Sequence, residues 1–509
     1  MSTNKKGILT DAPDCRQRLD KAPPKGGVLW YNIGMLRVKE TETRKQMRYV
    51  SIEDLVPPEH LLRKVERAVD FGFVRDEVKE LYSLDKGRPS IDPVTLVKLC
   101  VINYMYGYNS MRRTIRECEV NVAHRWFIGY DLMEPVPHFT TFGKNYKRRF
   151  EGTDLFEKIF MRVLGTAVEA GLVDTDAVYI DGTHIKANAN TRKNYKKEVE
   201  IEARAYQKQL MKEIDADRAE HGKKSLKDDD DKDGGCKTKT MTVSKTDPES
   251  GLFHKGEHKR CFAYNAQTAC DKRGWILGAT VDSGNKHDST VFENIYNKVK
   301  ENVGKPDSVI LDAGYKTPYI AKLVIDECAD PYMPYKCPMT KKGFLFKSEY
   351  VYDEYYDCYL CPQNQVLEYS TTNREGYREY KSNPEVCRSC PQRKQCTLSA
   401  NCQKVVTRHI WQNYIETVED NRHTPKGKEL YELRSQTIER VFADAKEKHG
   451  LRFTRHNGLA KVKTQVLLTF MVMNLKKLSK LIGGAPSFFN RFTQIFRFPR
   501  LILNPNVNF

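Results

Sequence analysis

Two short apolar runs, Val178-Tyr179-Ile180 and Val309-Ile310-Leu311, each lead straight into an aspartate, Asp181 and Asp312, followed by small residues in "DGT" and "DAGY". Apolar runs of this length, rich in β-branched residues, read as buried strands. Between them, Cys261–Cys270 and Trp275–Val281 pair as two strands around the turn "DKRG". Asp288 then caps a helix that places Phe292, Ile295, Tyr296 and Val299 on one face. A strand, a hairpin, a crossover helix and a further strand predict an α/β fold: a mixed sheet covered by helices.

Helices are expected on both sides of this core. "SIEDLVPPEHLLRKVERAVDF" opens a first one, and Asp92-Pro93 is a strong start for a second. Ser110 opens a third, which carries Arg112, Arg113 and Arg116. Two readings fit this pair: a helix-turn-helix that contacts DNA through the three arginines, or an ordinary helical hairpin with a solvated face. Thr191–Gly235 is highly charged and reads as a helix giving way to a solvated linker. The domain boundaries expected are an extension over 1–45, a helical N-terminal DNA-binding domain over 46–165, and a catalytic core over 170–327 and 426–482. The core is interrupted by a charged insertion at 191–240 and a Cys-rich insertion at 328–425, and a basic, aromatic tail covers 483–509.

Composition narrows the partners. The formal charge of +18 favours a polyanion, and nucleic acid is the commonest one in a cell. The most apolar run, Val466–Met473, is far shorter than the ~20 residues that span a bilayer, so a buried helix is predicted there and no membrane partner. Residues 1–34 hold no apolar signal core, and the 14 cysteines read as thiols or metal ligands in a cytoplasmic protein.

In an open sheet with helices, ligands collect at the carboxyl ends of strands, where Asp181 and Asp312 are expected to share a hard divalent cation. A third acid comes from "SQTIERVFADAKEKHG". Ile438, Val441, Phe442 and Ala445 define a buried stripe, and Glu439 and Lys446 project together at its edge. Three carboxylates suit Mg²⁺ or Mn²⁺. Two such ions can activate a water or a 3′-hydroxyl beside a phosphodiester and stabilise the leaving oxygen. Each acid also has an ordinary reading, as a turn cap or a solvated helix rim.

Taken in order, "YIDGTHIKANA", "VILDAGY" and "TIERVFADAKEKHGLRFTRHNGLAKVK" resemble the insertion-sequence transposases with an RNase H-like DDE core. The chain is similar in particular to the branch with a Cys-bearing insertion and a helical N-terminal domain reading "GRPSIDPVTLVKLCVINYMYGYNSMRRTIRE", over about Tyr49 to Leu481. The resemblance implies Asp181, Asp312 and Glu439 as the catalytic, metal-holding acids and Lys446 as a DNA contact near the cut. It gives support roles to Tyr264, Asn265, His287 and Asp288. The sequence departs from the family pattern at one point. Tyr431 and Arg434 keep the spacing of Tyr-x2-Arg-x3-Glu, but four residues separate Arg434 from Glu439. Five helical positions are roughly 140° of rotation in place of roughly 40°, so Arg434 shares a face with Glu439 only if the helix starts after it. Arg440 is the alternative phosphate contact.

Cys358-x2-Cys361 and Cys387-x2-Cys390, followed by Cys396 and Cys402, have the spacing of a zinc ribbon. The expected set is the two pairs, with Cys396 as a substitute; reduced, metal-free cysteines fit the same residues. The function implied is a DNA transposase, acting as at least a homodimer, that binds the terminal inverted repeats of a mobile element, cuts them and joins them to target double-stranded DNA. The alternatives are a metal-dependent nuclease or a non-enzymatic DNA-binding protein derived from a transposase.

Overall fold

A computed structural model describes residues 31–33, 36–38, 47, 49–83, 90–200, 206–226, 238–255, 259–337 and 339–482. Most of the expected extension, the aspartate run Asp228–Asp231 and the tail from residue 483 lie outside these. Met1–Leu55 forms one unit, with a short hairpin of β1 (Tyr31–Ile33) and β2 (Leu36–Val38) and one helical turn, α1 (Ile52–Leu55).

The second unit, from Val56 on, begins with helices. These are α2 (Leu61–Ala68), α3 (Phe73–Val78), α4 (Pro93–Met105), α5 (Met111–Val120), α6 (Val122–Ile128), α7 (Phe139–Asn145) and α8 (Leu155–Glu169). Pro57-Pro58 separates α1 from α2, so the first expected helix is split, and His60 accepts from the Leu62 N–H to start the second piece. Asp92 and Ser110 cap α4 and α5 as their residue types predict. α4 is buried on nearly every side, which explains its unbroken apolar sequence.

The sheet follows. β3 (Ala177–Lys186) is its centre. A ribbon of β4 (Asn194–Glu200) and β5 (Thr238–Ser244) comes next, with α9 (Gln207–Glu220) between its strands. This differs from the helix and linker expected for Thr191–Gly235. Residues 194–198 are exposed, so the strand carries no alternation of apolar and polar residues to betray it. β6 (Gly251–Lys255), β7 (Lys259–Asp271), β8 (Ile276–Ser283), α10 (Asp288–Val303), β9 (Ser308–Leu311), α11 (Pro318–Asp326) and β10 (Asp330–Tyr332) complete the layer. The strand order is β10-β9-β3-β7, and β8 and β6 share the far edge of the long β7. β7 and β8 form the expected antiparallel hairpin, in which Asp271 takes the Trp275 N–H and Gly274 turns with φ 76°. β9 and β10 return parallel to β3 by helical crossovers.

A second, five-stranded antiparallel sheet holds the cysteines, ordered β11 (Val351–Asp353), β12 (Cys358–Leu360), β13 (Val366–Thr372), β14 (Tyr377–Ser382) and β15 (Val405–His409). Two short helices, α12 (Pro384–Arg388) and α13 (Arg393–Cys396), lie between its last strands. The chain ends in α14 (Gln412–His423), α15 (Pro425–Glu432), α16 (Ile438–Lys448) and α17 (Leu459–Ile482).

The helices before the sheet are not packed by themselves. α17 runs against α2, α4, α8 and strand β8, and one continuous core joins Leu62 to Leu478. Val466, Phe470, Met471 and Val472 are inside it, as the apolar run predicts. α17 also covers the edge of β8, where the buried Asn474 amide accepts from the Ile276 N–H at 3.0 Å and donates to the Ile276 carbonyl at 2.8 Å. A side chain thus takes the place of a neighbouring strand. Among the described residues no helix is long and apolar enough to cross a membrane.

Candidate active site

β3 does not stop at Asp181. It continues to Lys186 because β7 keeps pairing with it, down to Lys186 opposite Ala263. On its other side the parallel partner β9 ends at Leu311, opposite Ile180. Asp181 and Asp312 are the next residues on the two strands, so the register sets them side by side where β9 leaves the sheet. Each is steadied by backbone: Asp181 accepts from the Gly182 N–H at 2.8 Å and Asp312 from the Ala313 N–H at 2.7 Å.

Glu439 reaches the same place through an arginine. Arg434 donates one guanidinium nitrogen to Glu439 at 2.8 Å and the other to Asp181. The chain turns in a short 3₁₀ segment over Leu433–Ser435, and α16 begins only at Ile438, after Arg434. Thr437, buried at the break, donates its hydroxyl to the Leu433 carbonyl. The additional residue between Arg434 and Glu439 is absorbed in this break, so the condition on which Arg434 could join Glu439 is met. Tyr431 is part of the same cluster. Burial pushes its phenol up, and the carboxylates Asp312, Asp181 and Glu439 add to this while Arg434 opposes it.

The buried stripe of α16 is the one expected: Ile438, Val441, Phe442 and Ala445 are inside, and the Glu439 side chain is about half exposed. Lys446 is half-buried, two turns along on the same flank. Arg440 falls on another side of the helix. Arg112, Arg113 and Arg116 lie outside the cluster, on the exposed face of α5, with Arg112 over the Phe139 ring at 4.4 Å and Arg113 paired to Glu117 at 3.7 Å.

One carboxylate has a larger part than its sequence suggested. The cap of α10 is His287, whose ring accepts from the Ser289 N–H, and this releases Asp288. Asp288 accepts from Asn265 and from Gln267, both at 2.7 Å, and Tyr315 donates to the other end of the Gln267 amide. Gly182 leaves room for this network: a Cβ there would stand 2.5 Å from Gln267 Nε2 and 2.8 Å from Asp288 Oδ1. Gly182 and Asp181 point to opposite faces of β3, so Asp288 is a positioning residue beneath the strand. Its anchoring of Tyr315 fixes the turn that begins at Asp312.

Burial is the main cause that pushes the Asp181 carboxyl up to about 6; the charges of Asp312 and Asp288 add to it, and Arg434 and the Gly182 N–H oppose it. Crowded acid held in check by one guanidinium is the electrostatic setting of a cation site. The donors are hard oxygens of the kind Mg²⁺ or Mn²⁺ takes, and Arg434 occupies the space between Asp181 and Glu439. As they stand, no three His, Cys, Asp or Glu side chains among the described residues are gathered as a metal cage.

A carboxylate takes a metal ion only when ionised, and below about pH 6 the ionised fraction of Asp181 falls about tenfold per pH unit. Cleavage at limiting Mg²⁺ is expected to fall with that slope below about pH 6. Arg434 favours the ionised form, so Arg434→Gln moves the midpoint to higher pH. A pH–rate series at fixed, sub-saturating Mg²⁺ checks both statements, and an unmoved midpoint in the variant contradicts them.

Among the described residues no three cysteines are gathered as a metal cage. Cys358 is buried in β12 among Asp353, Asp357 and Glu368, whereas Cys396 lies within electrostatic reach of Cys387 and Cys361 and against the Tyr350 hydroxyl at 3.0 Å. Cys390 follows at the end of α12, where its N–H bonds to the Cys387 carbonyl.

The order β10-β9-β3-β7-β8, with its parallel crossovers, Asp181 on the central strand and Asp312 just past its parallel neighbour, defines an RNase H-like core. A family model described as a transposase DDE domain matches residues 360–479, which include Tyr431, Arg434, Glu439 and Lys446. A second, described as a transposase domain (DUF772), matches residues 50–148, the helices ahead of the sheet. No curated protein matches the chain. The chain belongs to the insertion-sequence transposases of the DDE type.

Proposed function

We propose that this transposase binds the terminal inverted repeats of its own element, cuts DNA at their ends and joins the freed 3′-hydroxyl to target DNA, using Asp181, Asp312 and Glu439. The observation that carries this reading is the pairing of two acids by strand register, with a third linked to them through one arginine. Asp181 and Asp312 come from neighbouring parallel strands in register, and Glu439 is tied to Asp181 through Arg434. Two divalent ions, when bound, would supply an activated water or 3′-hydroxyl and stabilise the leaving oxygen.

The residues of the chain do the rest. Asp181 and Asp312 hold the metal side of the site on the rigid sheet, with Tyr315 and Asp288 fixing the turn after Asp312. Glu439 approaches from α16 and completes the oxygen set. Arg434 neutralises the acids before the site is loaded, and on release its guanidinium is free to take a phosphate oxygen of the scissile strand. Lys446, two turns beyond Glu439, contacts the backbone next to the cut. Two element ends require at least two copies of the chain in the working complex.

The test is cleavage of a labelled duplex carrying the element's own ends, with and without a chelator. Nicking at the ends in Mg²⁺, with loss of nicking but not of binding in the chelator, is the expected outcome. Cleavage that persists in excess chelator contradicts the reading.

A further inference from the structure

The flank of α16 that faces away from Glu439 and Lys446 lines a second, basic cavity of about 370 Å³. Arg440 and Lys448 come from α16, Lys476, Lys477 and Lys480 from the end of α17, and Arg273 from the β7–β8 turn. Asp444 is the one carboxylate in the lining among the described residues, and Lys448 already engages it at 2.7 Å. Two further cations are partly used. Lys477 donates to the Arg273 carbonyl and sits 4.8 Å over the Trp275 ring, and Arg273 donates to the Leu172 carbonyl at 2.9 Å. For Arg440, Lys476 and Lys480, no side-chain ion pair or hydrogen bond is formed among the described residues.

The cations disfavour one another. Burial lowers the Lys476 and Lys477 ammonium groups; Lys480 and Lys448 lower the first further against Asp444, and Arg273 and Arg440 lower the second against the larger opposing charge of Asp271. An anion entering the cavity relieves this repulsion. Its size follows from spacing: Arg440 and Lys448 are eight residues apart, roughly 12 Å along a helix. A DNA strand rises about 3.4 Å per phosphate, so the cluster matches three or four successive phosphates and not a single small anion.

We infer that this cavity is a second DNA-backbone site, which holds a segment of duplex other than the one at the scissile phosphate. Seen down α16, Arg440, Asp444 and Lys448 lie roughly 140° from Glu439 and Lys446, on the other side of the buried stripe. A duplex passing the acids therefore does not pass the cavity on the same straight path. The second site rests on the proposed function for DNA as its polyanion, and it adds a surface which that function does not require.

The experiment is DNA binding by the full chain over a salt series, comparing wild type with Arg440→Gln/Lys476→Gln/Lys480→Gln. Each cation withdrawn from a phosphate lowers the slope of log K against log salt by about 0.9, so the triple variant should be shallower by about 2–3 and bind at least about tenfold more weakly at low salt. Lys208→Gln/Lys212→Gln, two exposed lysines on α9, should keep the wild-type slope. If the triple variant does not fold, Arg440→Gln/Lys480→Gln replaces it, since both residues are exposed, with a slope change of about 1–2 expected. An unchanged slope in a folded variant, or an equal weakening in the α9 control, overturns the second site while leaving the DNA reading intact. Failure of wild type to bind DNA at any salt removes both.

Discussion

Asp181→Asn and Asp312→Asn should each reduce strand cleavage by on the order of 10³-fold or more while leaving DNA bound. The size follows from what a missing carboxylate does at such a site. Holding a divalent ion at the reacting phosphate is worth several kcal/mol of charge stabilisation, and about 4 kcal/mol corresponds to roughly three powers of ten in rate. Binding should survive because neither aspartate offers positive charge to a phosphate. The fold should survive as well, since the amide can still accept the N–H of Gly182 or of Ala313. The two variants differ in one informative respect. Asn at 181 removes the negative partner of Arg434, whereas Asn at 312 leaves that pair intact. Single-turnover cleavage alongside a binding curve measures both quantities. Equal loss of binding and cleavage would move these residues from chemistry to DNA contact.

The largest expected effect on stability lies away from the site. Asn474 is 1 % exposed and holds both backbone groups of Ile276 at the edge of the sheet. Asn474→Leu keeps the approximate volume and removes both hydrogen bonds. Each buried backbone group left unpaired costs about 1–3 kcal/mol, so a loss of roughly 2–6 kcal/mol is expected. The same helix packs on α2, α4 and α8, so the loss should appear as an earlier transition of the whole second unit and not as local fraying. The midpoint of urea unfolding is the measurement. A midpoint within error of wild type would show that water or a shift of α17 replaces the amide.

The parts of this molecule that the sequence made plain are those where burial leaves a periodic trace. β3 and β9 are short apolar runs because neighbours cover both faces. The hairpin of β7 and β8 turns at a residue that needs positive φ, and α16 shows its buried stripe at helical spacing. The acids were legible because each adjoins a buried apolar run: Asp181 follows Ile180 within β3, Asp312 follows the end of β9, and Glu439 borders the stripe of α16. The strand β4 left no trace, because residues 194–198 are exposed. Asp288 was legible only as a helix cap, since nothing local tells that His287 takes that task and sends the carboxylate toward Gln267. Arg434 was the hardest to place. Its relation to Glu439 depends on a helix break at Thr437, and its partner Asp181 lies 253 positions away in the chain. The cysteines were legible only as a spacing; that Cys396 comes within electrostatic reach of Cys361 and Cys387 while Cys358 is buried in β12 depends on the fold of the second sheet. The sharing of one core by the early helices and α17 is likewise a long-range fact, carried by packing between segments hundreds of residues apart.

Glu439 meets the aspartates only through Arg434, and the proposed strand-transfer chemistry stands or falls on its being the third acid. The measurement is joining of a labelled, pre-cut element end to target DNA in Mg²⁺, by the full chain and by Glu439→Gln. Joined product from wild type and none above background from the variant, with end binding unchanged, is the predicted result. Joining by Glu439→Gln at the wild-type rate would contradict it and leave Glu439 as a surface partner of Arg434.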